Sequence, residues 1–197
     1  MAVLPAVILF VVKDAAREVC RCLMDCVGPV LVEAAEYGLC AGDNRRVTHM
    51  IDERLFGHWC SSPFDVGAME TSELDFLPDG RGWSRFDSIT SVLSIGRFRW
   101  SCPGPGVLEI RYGLRINGTW DSKTSGFAIV DSTDPDDEVI RTAYRIGPDT
   151  PPYAEEPVTT LVLEDSAVEF AFHFARGRLD ISPADDDSAA VVPYDTA

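Results

Sequence analysis

Between Leu55 and Ile181 the apolar positions recur every second residue. The clearest run is 107–116. Leu108, Ile110, Tyr112, Leu114 and Ile116 alternate there with Glu109, Arg111, Gly113 and Arg115. A period of two marks a strand with one buried face and one wet face. Asn117-Gly118 follows at once, and this dipeptide readily takes the positive φ angles of a two-residue turn. The spacing therefore predicts a hairpin there, with the next strand folding back antiparallel. Residues 72–77 read as a strand that ends in Pro78-Asp79-Gly80, a turn in which Pro sets φ and Gly admits φ > 0. Residues 82–86 return from it. Residues 91–101 form a longer strand, stopped by Pro103-Gly104-Pro105-Gly106. Residues 127–130 are short and apolar. Residues 139–146 put Ile140, Thr142, Tyr144 and Ile146 on one face and Arg141 and Arg145 on the other. Residues 55–60 open the series, and 158–163 and 168–176 close it. After residue 50 the only helical signal is one turn over 50–54. Eight or nine successive short strands predict an all-β fold, an antiparallel up-and-down barrel or else a sandwich.

The flanking segments differ from this middle. Residues 1–49 carry 5 of the 17 bases and 6 of the 32 acids, so residues 50–197 carry 12 bases and 26 acids, nearly all of the net charge of -15. Residues 1–49 also hold Cys20, Cys22, Cys26 and Cys40, four of the six cysteines. The apolar start runs into Lys13-Asp14 with no base before it, unlike a signal peptide. The segment 1–49 reads as a partly helical N-terminal appendage or a mis-assigned start, with Met50 opening the domain. Zinc sites usually pair ligands at C-x₂₋₄-C and need four; Cys40 could be the fourth beside Cys20, Cys22 and Cys26, but no His follows at finger spacing, so no metal site is expected there. Cys60 and Cys102 read as buried thiols, and nothing implies an oxidising compartment, so the expected location is cytoplasmic. The segment 183–197, with Asp185-Asp186-Asp187, reads as a disordered acidic tail. The barrel domain is thus expected over 50–182.

Leu55-Phe56-Gly57-His58-Trp59 gives a short helical lead-in followed by Gly-x-Trp. This resembles the opening of the lipocalin, or calycin, barrel. Residues 74–82, Leu-Asp-Phe-Leu-Pro-Asp-Gly-Arg-Gly, are similar to the second-strand hairpin of bacterial lipocalin-like domains. The resemblance implies that Trp59 plugs the closed end under an Arg from the last strand. Arg176 fills that role if Phe170, Phe172, Phe174 and Arg176 share the inward face, and Arg178 is the other candidate. An Arg stacked on an indole contributes about 0.5–2 kcal/mol.

Charge limits the functions. An excess of acids argues against nucleic acid, whose binding needs Lys and Arg, and against anionic membranes. No Gly-x-Ser-x-Gly elbow, phosphate loop or His-Glu-x-x-His is present. His49 precedes the domain. His58 and His173 read as surface or edge residues, and Glu169 would lie about 13 Å from His173 along a strand, too far to act with it. Asp131, Asp134, Asp136, Asp137 and Glu138 lack the Gly and Glu positions of a calcium loop and read as a solvated acidic loop. No catalytic residue, metal site or cofactor is expected. The leading expectation is a binding module that holds a small apolar or aromatic molecule in the barrel. Phe76, Trp100, Ile110, Tyr112, Phe127 and Tyr144 would line the site, with Arg97 or Arg99 at the rim for an acidic group. The alternative is an acidic protein–protein module, of inhibitor or immunity type, for a basic partner.

Overall fold

The computed structural model describes residues 50–120, 126–169 and 171–194. The segment 1–49, with His49 and the four cysteines there, lies outside the described residues, as do Phe170 and 195–197. The described chain is all-β. Nine antiparallel strands form one sheet: β1 (Gly57–Cys60), β2 (Glu70–Phe76), β3 (Arg81–Ser88), β4 (Val92–Gly104), β5 (Val107–Trp120), β6 (Phe127–Pro135), β7 (Val139–Asp149), β8 (Val158–Leu163) and β9 (His173–Arg176). Each of β1 to β5 pairs with its successor, β5 also pairs with β7, and β7, β8 and β9 lead back to β1. The result is a closed ring of eight strands.

β6 is the upper part of a strand that β7 continues. Leu114 pairs with Pro135 and Arg111 with Val139, so three steps on β5 oppose four on its partner. One extra residue is a β-bulge, which bends the strand. β6 therefore accompanies the upper half of β5, and β7 the lower half.

The Asn117-Gly118 turn does not form. β5 runs on to Trp120, and the chain reverses between Trp120 and Phe127. Gly118 serves another purpose. A Cβ there would overlap the Ile129 carbonyl across the hairpin, so a side chain is excluded by close approach rather than by φ. Asn117 bonds sideways, accepting from Ser94 Oγ at 2.8 Å and donating to Ser132 Oγ at 3.2 Å. Asp131 and Asp134 belong to β6, so only the later part of the expected acidic loop is a connection.

The five-residue stripe on β5 is split. Leu108, Ile110 and Tyr112 face the barrel core, whereas Ile116 pairs with Ile95 of a second apolar cluster. A register shift where Arg97–Phe98 faces Tyr112–Leu114 inverts the alternation. Directly paired residues share a face, so Ile116 follows Ile95 outward.

The barrel core holds Trp59, Leu74, Phe76, Phe98, Trp100, Leu108, Ile110, Tyr112, Leu161 and Phe174. Its lower end is closed by the 3₁₀ helix Glu53–Leu55, capped by the Asp52 carboxylate on Arg54 N at 3.0 Å. Its upper end is filled by the β8–β9 connection. Ala167, Val168 and Ala171 are buried there, and Tyr112 Oη donates to the Ala167 carbonyl at 2.8 Å. The last strand is shorter than expected. Val168 and Ala171 form only an isolated bridge, and Phe172 is 41% exposed rather than inward.

The C-terminal segment is the largest departure from expectation. The 3₁₀ helices Pro183–Asp185 and Asp187–Ala190 pack on the outer wall instead of dangling in solvent. Outward-facing Leu93, Ile95 and Trp83 are buried there with Leu77, and Trp120, Phe127 and Ile181 pack against them. Asp186 is the polar anchor. It accepts from Arg97 Nε at 2.8 Å, Tyr194 Oη at 2.7 Å, Ser188 N at 2.9 Å and Ser188 Oγ at 2.6 Å. Arg97 also donates to the Val192 carbonyl at 2.6 Å and stacks 4.0 Å from the Tyr194 ring centroid. The acidic run reads as solvated because the counter-ions of Asp186 and Asp187, Arg97 and Arg85, lie about ninety to one hundred residues away.

Removing one member of a buried, bonded ion pair leaves the other charge stranded, at about 3–5 kcal/mol. Asp186→Ala should therefore lower the urea-unfolding free energy by about that amount. A neutral Asp186→Ala would show that the segment does not hold the wall.

Candidate functional site

The expected lining residues divide into three places. Phe76, Trp100, Ile110, Tyr112 and Tyr144 are inside the barrel and buried. Phe76 meets Trp100 edge-on at 5.2 Å between centroids and Phe98 at 5.6 Å, and Phe98 meets Tyr112 at 5.5 Å. Gly96 makes room for this stack, since a Cβ there would stand 2.6 Å from Tyr112 Cε1. These rings pack on one another inside the barrel. Phe127 lies outside, in the second cluster. Arg97 is outside too and is engaged by Asp186. Arg99 sits on the outer wall near the lower end.

Trp59 and Arg176 meet at the closed end. Their Cα atoms pair across the β1–β9 seam, and the guanidinium lies 4.1 Å from the indole centroid. Trp59 Nε1 donates to the Leu55 carbonyl at 2.8 Å, and Arg176 donates to the carbonyls of Phe56 and Arg54. Arg178 is bonded to Asp185 at 2.7 Å instead.

The outer wall carries two polar features. The first follows from strand register. His58 and Cys60 point outward from β1 because Trp59 points in. On β2, Glu73 lies opposite Cys60 and Asp75 opposite His58. The four outward side chains form a quadrilateral that the C-terminal segment partly covers. A cavity of about 160 Å³ remains beside His58, Glu73 and Asp75, walled also by Arg85, Arg178, Asp185 and Asp187. His58 Nδ1 lies 3.0 Å from Asp75 Oδ1. That bond, and then the one with Cys60, push His58 up to about 10. Burial raises both Glu73 and Asp75 above the usual carboxylate range, against the pull of His58. Among the described residues, His58, Cys60 and Glu73 bring ligand-type atoms within 4.8 Å of one another. Neither the surface nor the edge histidine reading fits His58. The signal was present as two outward dipeptide steps, His58-x-Cys60 and Glu73-x-Asp75, but their pairing needed the register. His173 packs its ring 5.5 Å from Phe64, and Glu169 is exposed at a positive φ of 31°.

The second feature is a row of arginines. Arg81 pairs with Arg99, and Arg99 with Arg111, in register across β3, β4 and β5. Like charges directly opposite one another destabilise a sheet. Asp79 neutralises Arg81 at 2.7 Å and Glu109 neutralises Arg111 at 2.8 Å. Arg99, between them, makes no ion pair among the described residues. Beside it is a groove of about 600 Å³ lined by Ile51, Gly80, Trp100, Ser101, Asp79, Glu109 and Arg111.

No protein-family model, no curated protein and no solved structure matches the chain. Among the described residues, no helix is long and apolar enough to cross a membrane.

His58 ordinarily titrates at 6.5. Its pairing stabilises the fold fully below that value, and the contribution disappears as pH rises through about 10. In metal-free buffer, NMR should find the His58 ring protonated throughout pH 6–8. Asp75→Asn should bring its titration down into that window. A wild-type midpoint near 6.5 would contradict the pairing.

Proposed function

We propose that this chain is a lipocalin-like binding module that holds an acidic molecule with an apolar body on its outer wall rather than inside the barrel. One observation carries this reading: Arg99 stands between two other arginines and makes no contact ion pair among the described residues, feeling Asp79 only at longer range, in a chain of net charge -15. Such a row raises the energy of the empty sheet, and an anion relieves it. Arg99 and Arg111 would grip the acidic group through charge-assisted hydrogen bonds. Ile51 and the edge of Trp100 supply apolar surface beside them. The site keeps two elements of the sequence expectation, Trp100 and Arg99, and leaves the interior rings as core. The ring contacts among Phe76, Phe98, Trp100 and Tyr112 support this relocation, because displacing a ring stack from a close-packed core would cost more than a small ligand returns.

A second reading is an acidic protein–protein module. β6 favours it. Among the described strands it pairs only with β5, so its other edge is open, and it exposes Ile129 and Val130 beside Asp131 and Asp134. An open edge adds a strand from a partner readily, and the aspartates would select a basic one.

An aromatic sulfonate or carboxylate titrated against the protein should quench Trp fluorescence saturably. Arg99→Ala should weaken that binding about tenfold, since a hydrogen bond to a charged group is worth about 1.5–3 kcal/mol. Ile110→Met, inside the barrel, should leave it unchanged. Saturable binding that ignores Arg99→Ala yet responds to Ile110→Met would restore the interior site. Absence of any saturable binding, with salt-sensitive capture of a basic protein lost on Val130→Lys, would favour the second reading.

A further inference from the structure

The quadrilateral on β1 and β2 uses residues that the arginine groove does not. We infer that His58, Cys60 and Glu73 form a three-ligand site for zinc, with Asp75 orienting the histidine. The three offer nitrogen, sulfur and oxygen donors, a set that suits a borderline-soft cation. They are held on two rigid, paired strands rather than on a loop. Cys60 faces Glu73 across the ladder, and His58 is two residues from Cys60 on the same face. The donor atoms lie within 4.8 Å of one another. In a tetrahedral site with bonds of about 2.0–2.3 Å, ligand atoms stand roughly 3.3–3.8 Å apart. Closing the gap takes about an ångström, within reach of side-chain rotation.

Asp75 gives the cluster its second independent mark. Metal-binding histidines usually engage a carboxylate through the ring nitrogen that does not bind metal. His58 Nδ1 is bonded to the buried Asp75 carboxylate, which leaves Nε2 for the ion. The two remaining cations of the pocket already have acid partners. Arg85 is paired with Asp87 at 3.0 Å and with Asp187, and stands 4.0 Å from Glu73. Arg178 is paired with Asp185. Their acids balance them, so Glu73, Asp75 and a Cys60 thiolate supply the negative charge for a dication. The cavity of about 160 Å³ beside them leaves the fourth position to water. Zinc takes the thiolate and the neutral imidazole nitrogen, so any proton held on those donor atoms passes to solvent on binding. Three protein ligands and one water are the coordination of a zinc ion that retains an open position.

Cobalt(II) is the probe, because a thiolate ligand gives it a charge-transfer absorption and tetrahedral geometry gives intense visible bands. The N-terminal cysteines are potential thiolate ligands too, so the test uses the full chain with Cys20, Cys22, Cys26 and Cys40 all replaced by Ser. One equivalent of cobalt should then give both signals, and zinc should bleach them. Cys60→Ser in this background should abolish the charge-transfer band, and Glu73→Gln should weaken binding. Asp75→Asn should lower affinity roughly 10–100-fold while keeping the band. Circular dichroism confirms that each variant is folded. No band in the four-serine chain, or a band that survives Cys60→Ser, overturns the site. Neither outcome touches the anion groove, which contains none of these residues.

Discussion

The seam between β1 and β9 is the constraint on which the rest depends. Only two residue pairs register there, Trp59 with Arg176 and Cys60 with Ala175. A ring of eight strands is open unless this short contact holds. The chain reinforces it from both sides. Beyond the strands, His58 N donates to the Arg178 carbonyl at 2.9 Å and Gly177 N to the His58 carbonyl at 2.8 Å. Gly57 permits the approach, since its φ is +103° and a Cβ would stand 2.7 Å from the Arg178 carbonyl oxygen. Inside, the Arg176 guanidinium lies on the Trp59 indole and ties the carbonyls of Arg54, in the 3₁₀ helix, and Phe56, which caps it, to the last strand. Burial lowers the pKa of Arg176, and its Nε has no hydrogen-bond partner. That cost is consistent with a guanidinium placed for its flat face as much as for its donors. The same seam sets the outer wall. If β1 slipped by one residue, Trp59 would face out and His58 and Cys60 would face the core.

The sequence reveals the ring better than it reveals what surrounds it. Alternation is local, so β2, β3, β7 and β8 are legible from their own residues. The Pro78-Asp79-Gly80 turn is legible for the same reason, with Gly80 at φ +79° and bonded back to Leu77. Asn117-Gly118 misleads because turn propensity is weak beside a strand that has partners on both edges. β4 and β6 flank these two residues, and ladder bonds outweigh a preferred turn. Ile116 misleads differently. Its alternation is intact, but a bulge inverts the face, and a bulge is a property of two strands rather than one.

The candidate sites were partly written in the sequence and partly not. Arg99 was visible as a basic position at a strand end. That it would stand between Arg81 and Arg111 required the register of three strands. The outward pairs on β1 and β2 were visible as parity, but parity alone reads as solvent. What turns that wall into an interior is the chain more than one hundred residues later. Asp185, Asp186 and Asp187 each have an arginine partner, Arg178, Arg97 and Arg85 respectively. A composition-based reading counts three adjacent acids and predicts repulsion. The fold spreads them over three cations, and burial follows.

This division of arginines bears on function. Three of them fasten the C-terminal segment and so are not available to a ligand. The row of Arg81, Arg99 and Arg111 lies on the same barrel below that segment, and Tyr194 touches both groups, with Arg97 4.0 Å and Arg81 5.3 Å from its ring centroid. One side of the row is therefore bounded by the C-terminal segment and the other by Ile51. A chain with 32 acids and 17 bases repels anions at long range. An anion that binds must then be recognised at contact distance, where screening by salt matters less than geometry. The energy comes from the planar forks of arginine, not from the field of the whole molecule. That favours a ligand with a compact acidic group over a large polyanion, because a polyanion would feel the repulsion of the acids around the row as strongly as the attraction within it.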